Sequence, residues 1–308
     1  MHSLKPSQEV LGVVGDLVED VVVVLAGPSR HGTDNPSVVS RQRGGSAANV
    51  AALAAASTRV RFIGCVGDDA TGASLAADLS SRGVDVRVQH RGRTGTVVVL
   101  VDSDGERTMF PDRGAAALLD IVDDAWLAGL GFLHVSAYAL ASESGRRVIA
   151  DLCRRVRAGG GEISVDLSAA SMIESIGPDR FAALVVGLEP TFVFANRDEM
   201  AALGAASSGV RDAATVVVKN GPAPTRVHGP DGSDVAVDVA PVADVIDTTG
   251  AGDAFAAGFL SAWLVGCDAE ASCRRGHALA ASVITQTGAG GQRVLSPATF
   301  ANSHPGEA

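Results

Sequence analysis

The chain has 308 residues, 46% hydrophobic and 4% aromatic, enough for a single domain over 1–308 with a large core of Ala, Val and Leu. Its net charge of −10 argues against nucleic acid or an anionic membrane as a partner, and with Lys5 and Lys219 as its lysines a Gly-Lys-Ser/Thr phosphate loop is excluded. Four cysteines without a CxxC spacing and seven histidines without an HExxH pair exclude the common zinc patterns; no signal-peptide pattern or membrane-length apolar run is seen, so a cytoplasmic location is expected.

In chain order, short β-branched runs alternate with longer helical stretches, the pattern of an α/β fold with a doubly wound, mostly parallel sheet between helices. Strands are predicted over 10–14, 61–66, 132–135, 162–166, 191–194 and 215–219, and helices over 47–56, 71–82, 142–157 and 178–186. The alternation breaks at 84–88, 96–101 and 106–110, three strand-like runs with Asp104-Gly105 as a hairpin turn. With 21–25 they are expected to form a small separate sheet, a lid within roughly 17–40 and 84–112 that closes over a site. Its outer face is a candidate surface for a homodimer.

Two glycine motifs carry the chemistry. Gly44-Gly45-Ser46-Ala47-Ala48-Asn49 opens an alanine-rich helix, with Ser46 as its expected N-cap. A flexible turn before a helix accounts for the glycines; close approach to a polyhydroxylated ligand accounts for them equally, with the Asn49 amide able to donate to and accept from a hydroxyl. The second motif, Asp247-Thr248-Thr249-Gly250-Ala251-Gly252-Asp253, follows a strand-like segment over 242–246 and leads into an apolar helix over 254–265. At such a helix start the amides of Gly250, Ala251 and Gly252 and the helix dipole stabilise developing negative charge. Asp253 behind them is placed to take a proton from an attacking hydroxyl, and Gly258 lets the helix pack closely on a neighbour. This arrangement suits phosphorylation of a small alcohol.

Over essentially its whole length the chain resembles the ribokinase-like (PfkB) carbohydrate kinases. The resemblance rests on Gly15 to Asp20, on Gly44-Gly45 to Asn49, on Val66-Gly67-Asp68-Asp69 to Gly72, on Asn196-Arg197-Asp198-Glu199, and on Asp247 to Gly258, in that order. It implies ATP- and magnesium-dependent transfer of the γ-phosphoryl group to a hydroxymethyl group of a small sugar or sugar derivative. Asp253 would be the catalytic base, with Gly250, Ala251 and Gly252 as the anion hole, while Asp20, Gly44, Gly45 and Asn49 would hold the acceptor. Asn196 and Glu199 would organise the magnesium and phosphate region, with Lys219, Gly221 and His277 at the nucleotide. Asp247 and carbonyls near Thr249, Val283 and Gly288 resemble a shell for potassium or a similar ion.

The departures bear on the acceptor. Val18 stands where ribokinases carry a sugar-binding Asn, Ala116 replaces the Asn of a Gly-Ala-Asn segment, and Asp166-Leu167-Ser168-Ala169-Ala170 lacks the Asn and Arg of a D-x-N-x-R pattern. These losses suit a sugar acid or, as the alternative, a nucleoside kinase of the same fold, on whose base Tyr138 would stack. A ligand-sensing protein without turnover is a second class, opposed by the intact Gly250-to-Asp253 segment. A dinucleotide-dependent oxidoreductase lacks its G-x-G-x-x-G after the first strand.

Overall fold

Strands buried on both faces demand near-continuous apolar sequence, and the Val-rich run of β1 (Val10–Val14), buried at every residue, meets that demand. The computed structural model describes residues 10–102 and 104–285. After β1 come β2 (Val18–Leu25), β3 (Ser37–Gly44), α1 (Ser46–Ala54), β4 (Val60–Val66), α2 (Ala70–Ser81) and β5 (Asp85–His90). Next are β6 (Thr96–Val101), β7 (Arg107–Asp112), β8 (Leu130–Ser136), α3 (Glu143–Ala158), β9 (Glu162–Asp166), α4 (Ala170–Ile176) and α5 (Pro178–Val186). The order ends with β10 (Phe192–Asn196), α6 (Arg197–Leu203), α7 (Ser207–Ala213), β11 (Thr215–Asn220), β12 (Ala223–His228), β13 (Asp234–Val237), α8 (Ala251–Leu264) and α9 (Ala269–Ile284).

A nine-stranded sheet runs β13-β12-β11-β10-β9-β8-β1-β4-β5, parallel from β11 to β5 and antiparallel at the β12 and β13 edge. One face packs on α1, α2, α8 and α9, the other on helices from α3 to α7. The few aromatic residues concentrate under α8, where Phe259 meets the rings of Phe192 at 4.9 Å and Phe194 at 5.1 Å edge to face. No helix of the described residues is long and apolar enough to cross a membrane.

The small sheet exists, with one change of membership. It has four strands in the order β3-β2-β6-β7, and the run at 84–88 lies in β5, paired with β4 at the edge of the large sheet. The missing fourth strand is β3, whose polar sequence gave no strand signal. A β-branched run reports a preference for extended backbone, not the sheet it joins. Likewise 242–246 forms no strand; Ile246 is tied instead to the end of α9 by an N–H donated to the Ile284 carbonyl at 2.9 Å. The N-cap of α1 is Gly45, at φ 101°, and Ser46 makes no cap.

Gly258 does what close packing of α8 requires. A Cβ there would stand 2.7 Å from the Arg275 carbonyl oxygen on α9, and one at Gly276 would stand 2.8 Å from the Phe255 carbonyl oxygen. Backbone on both sides leaves no room to give, so Gly258→Ala is expected to destabilise the fold by about 1–3 kcal/mol. An unchanged urea midpoint would show that the two helices separate freely.

Candidate active site

The parallel strands deliver polar residues to one edge. Ser136, Asp166 and Asn196 end β8, β9 and β10, Lys219 lies near the end of β11, and Asp16 directly follows β1. This carboxyl edge is where open α/β sheets bind ligands. Lys219 Nζ donates to Asp166 Oδ2 at 2.7 Å. Burial lowers the lysine's pKa, but Asp166 and Glu199 more than offset this and raise it overall, so the ammonium stays charged.

Above this edge α8 begins at Gly250, left-handed at φ 76°. Of the three amides expected to form an anion hole, that of Ala251 is engaged by the Thr248 carbonyl at 3.1 Å. Helix geometry leaves Gly252 and Asp253 in the open first turn with no intrahelical acceptor. A Cβ at Gly252 would stand 3.2 Å from Lys219 Nζ, so a full positive charge borders the same turn. Asp253 Oδ1 accepts from Ser46 Oγ at 2.8 Å and Oδ2 from Asn49 Nδ2 at 2.9 Å. Its carboxyl lies deep among protein groups while part of the residue remains accessible. Burial pushes its pKa up to about 7; the Asn49 and Ser46 donors pull against burial, and Asp166 adds to it.

The acceptor side departs from expectation in its details. Asp20, on β2, has its pKa raised to about 7 by burial and by the neighbouring Asp16. A Cβ at Gly44 would stand 2.0 Å from Asp20 Oδ1, and one at Gly45 would stand 2.3 Å from the Asp16 carbonyl oxygen. Both glycines are therefore required by the protein's own groups, whatever ligand binds. The Asn49 amide is likewise engaged, between Asp253 and Arg43. Val18 is buried against Gly95. The Tyr138 ring, expected to stack on a base, has the Arg113 guanidinium 4.2 Å from its centroid, so one of its two faces is covered. Arg113 also approaches Asp16 at 3.7 Å, while Asp16 Oδ1 is buried without a partner among the described residues.

On the nucleotide side, Asn196 and Glu199 form a reciprocal cap at the start of α6: Glu199 N–H donates to Asn196 Oδ1 and Asn196 N–H to Glu199 Oε2, both at 2.8 Å. Glu199 is only 3% exposed, not a solvated helix charge, and burial followed by repulsion from Asp166 raises its pKa to about 7. Gly221 turns the β11–β12 hairpin at φ 55°. His277 pairs with Thr225 Oγ1 at 2.8 Å and packs on Phe255 of α8. Among the described residues no group of three or more His, Cys, Asp or Glu makes a ready metal cage. Magnesium keeps much of its water and binds through one or two carboxylates plus phosphate oxygens, so Asp166 and Glu199 beside the helix-start turn fit it.

The expected monovalent-cation shell is largely engaged from within. Asp247 Oδ2 accepts from the Arg107 guanidinium on β7 at 2.6 Å, and Oδ1 accepts from Thr249 N–H at 2.8 Å. The Val283 carbonyl accepts the Thr285 N–H at the end of α9. Gly288 lies outside the described residues. Asp166, Arg43, Arg107 and Arg113 were not singled out as site residues from sequence, although Asp166 was legible as a carboxylate ending a predicted strand.

Comparison with known proteins agrees with this geometry. Residues 10–294 match the model of the pfkB family carbohydrate kinases. An ATP-dependent ribose-1-phosphate kinase of Halopiger xanaduensis is 33% identical over 276 residues, covering 83% of this chain and 86% of that protein. A fructokinase of Salmonella typhimurium is 33% identical over 240 residues, covering 71% and 76%. The crystal structure of adenosine kinase from Sinorhizobium meliloti superposes with a TM-score of 0.79 at 25% identity, covering 97% of this chain and 99% of that one. With a carboxylate behind a glycine turn at the carboxyl edge of its sheet, and with this match over nearly its whole length, the chain belongs to the pfkB family of carbohydrate kinases.

Proposed function

We propose that this kinase uses ATP and magnesium to phosphorylate the hydroxymethyl group of a small sugar or sugar derivative, with Asp253 as its base. The observation that carries the reading is the placement of Asp253, held by Ser46 and Asn49 one residue after Gly252 and within the field of Lys219. The acceptor O–H gives its proton to the Asp253 carboxylate as its oxygen bonds the γ-phosphorus and the bond to the β-phosphate oxygen breaks, releasing ADP. First-turn amides and Lys219 stabilise the charge on the transferring group, so catalysis is positioning and electrostatics. Magnesium, bound with the phosphates near Asp166 and Glu199, supplies further neutralisation.

Within the sugar class, Arg107 and Arg113 favour an acceptor with an anionic substituent. Both guanidinium groups are about a quarter exposed, Arg107 acts on Asp20, and Arg113 stands beside Asp16. A sugar phosphate, the acceptor class in the name of the Halopiger relative, or a sugar acid would use that charge. The covered face of Tyr138 disfavours a nucleoside. An ATP-consumption screen over pentoses, pentose phosphates, hexoses, keto sugar acids and nucleosides decides the matter. Turnover of nucleosides alone would transfer the reading to a nucleoside kinase, and no turnover at all to a ligand sensor.

Asp253→Asn preserves shape but removes the base, and its kcat is expected to fall by about 10² to 10⁴ with ATP binding retained. The wild-type rate should fall as pH drops below about 7, because Asp253 must be unprotonated to act. Activity of Asp253→Asn above about a tenth of wild type would move the base elsewhere.

A bound potassium ion is not part of this proposal. A buried carboxylate at Asp247 would call for a compensating cation, and Arg107 supplies that charge. Exchanging potassium for tetramethylammonium at constant ionic strength is expected to leave the rate unchanged; a clear drop would mean that an ion displaces Arg107.

The small sheet of β3, β2, β6 and β7 acts as a lid on this reading, with Arg107 as its link to the turn beside the anion hole. Its outer face carries Val39 and Phe110, each more than half exposed, with Val98 between them, an apolar surface suited to a second copy of the chain. Hydrogen exchange across 84–112 should slow on acceptor binding and sedimentation should give a dimer; unchanged exchange rules out the lid, and a monomer rules out the dimer. Four free cysteines and the use of ATP support a cytoplasmic setting.

A further inference from the structure

The part of the site that the reaction leaves unexplained is a buried arginine one residue before the first glycine motif. The Arg43 side chain, 4% exposed at the end of β3, points between two helices. Its Nε donates to Asp78 Oδ2 on α2 at 3.0 Å, and its Nη1 donates to Asn49 Oδ1 on α1 at 2.8 Å. Asn49 in turn donates from Nδ2 to Asp253 Oδ2. A continuous chain of contacts thus joins Asp78, Arg43, Asn49 and Asp253.

The chain has a direction that chemistry imposes. An asparagine amide presents an acceptor and a donor of nearly the same shape, and left alone it can turn either one toward a neighbour. A guanidinium has donors only. With Arg43 against it, the amide must turn its oxygen to Arg43 and therefore its NH₂ to Asp253. The reverse orientation would set the Asn49 oxygen against a carboxylate oxygen and favour the protonated acid. Asp78 does not need Arg43 as its sole partner, since Arg82 also donates to it at 3.1 Å.

We propose that Arg43 is a positioning residue for the catalytic base: it fixes the orientation of the Asn49 amide and thereby keeps Asp253 able to accept a proton. This rests on the reading of Asp253 as the base. Other groups that bear on the protonation of Asp253 come from several elements: Ser46 on α1, Asp166 at the end of β9, Lys219 on β11 and Tyr138 after β8. None of them constrains the Asn49 amide. Because β3 belongs to the small sheet, the same side chain also ties that sheet to the base.

The test is the pH dependence of kcat in Arg43 variants, with Asp253→Asn measured alongside. Arg43→Met and the milder Arg43→Gln, whose amide can donate or accept, should move the acid limb upward by about one pH unit while the KM for ATP holds. Arg43→Lys keeps a donor-only cation and should restore the limb. In an Asn49→Ser background, Arg43→Gln should add little, because its effect has already been removed. An acid limb unmoved in both Arg43→Met and Arg43→Gln, no rescue by Arg43→Lys, or full multiplication of losses in the Asn49→Ser background would overturn the proposal. If Arg43→Met does not fold, Arg43→Gln carries the same comparison. Collapse of Asp253→Asn with an unmoved limb removes the positioning role alone, whereas retained activity in Asp253→Asn removes the base and the positioning role together.

Discussion

A carboxylate withdrawn from water beside the open end of a helix is poised between two states, and the site around Asp253 depends on that balance. Burial favours the neutral acid, which cannot accept a proton. Two donors, Ser46 and Asn49, favour the charged form, and the ammonium of Lys219 adds to them across the turn. Asp166 opposes them, yet the same carboxylate keeps Lys219 charged beside the turn that opens α8. The groups are interdependent, so removing any one of them alters the protonation of the others.

The interdependence explains why the acidic chain can hold a polyphosphate. A net charge of −10 provides no general attraction for ATP. Attraction has to be local, and it is assembled from backbone dipoles at the start of α8 and from one lysine whose charge is secured by two carboxylates. Those carboxylates, Asp166 and Glu199, are also the oxygen donors suited to a hydrated divalent cation. On the proposed reading, one cluster would serve lysine and metal alike.

The fold was legible in sequence where period and burial agree, and illegible where only long-range pairing decides. β9 and α5 fall at their predicted bounds, because a short alternation of Ile163 and Val165 with polar residues and a Pro-initiated amphipathic helix are local signals. β3 was missed because Ser, Arg and Gln outnumber its two adjacent valines, so no apolar period shows in a strand with one more exposed face and only one paired edge. α9 was missed for a related reason: its alanines and arginines form no strong stripe, and it is held by glycine contacts to α8. In the site, the glycine turn and Asp253 were readable from their own neighbourhood. Ser46 and Asn49 reach Asp253 across more than 200 residues of sequence, a relation no local pattern reveals. The glycine pair at 44–45 was readable as a close approach, and what the structure sets against it is Asp20 and the Asp16 backbone.

Arginine is the residue that makes the small sheet part of the site. Arg107 on β7 reaches Asp247 before the turn that opens α8, and Arg43 on β3 reaches Asn49 beside Asp253, so the sheet meets the surroundings of that turn from both sides. A lysine could supply the charge at either place. At position 43 it could still donate to Asn49 and leave Asp78 to Arg82, but it could not hold both in one plane as the fork of Arg43 does, because an ammonium is a point charge with rotatable donors and a guanidinium is a rigid frame. In a chain with only two lysines among 25 basic residues, one lies beside the turn that opens α8. The guanidinium groups are left for the contacts that join two elements at once.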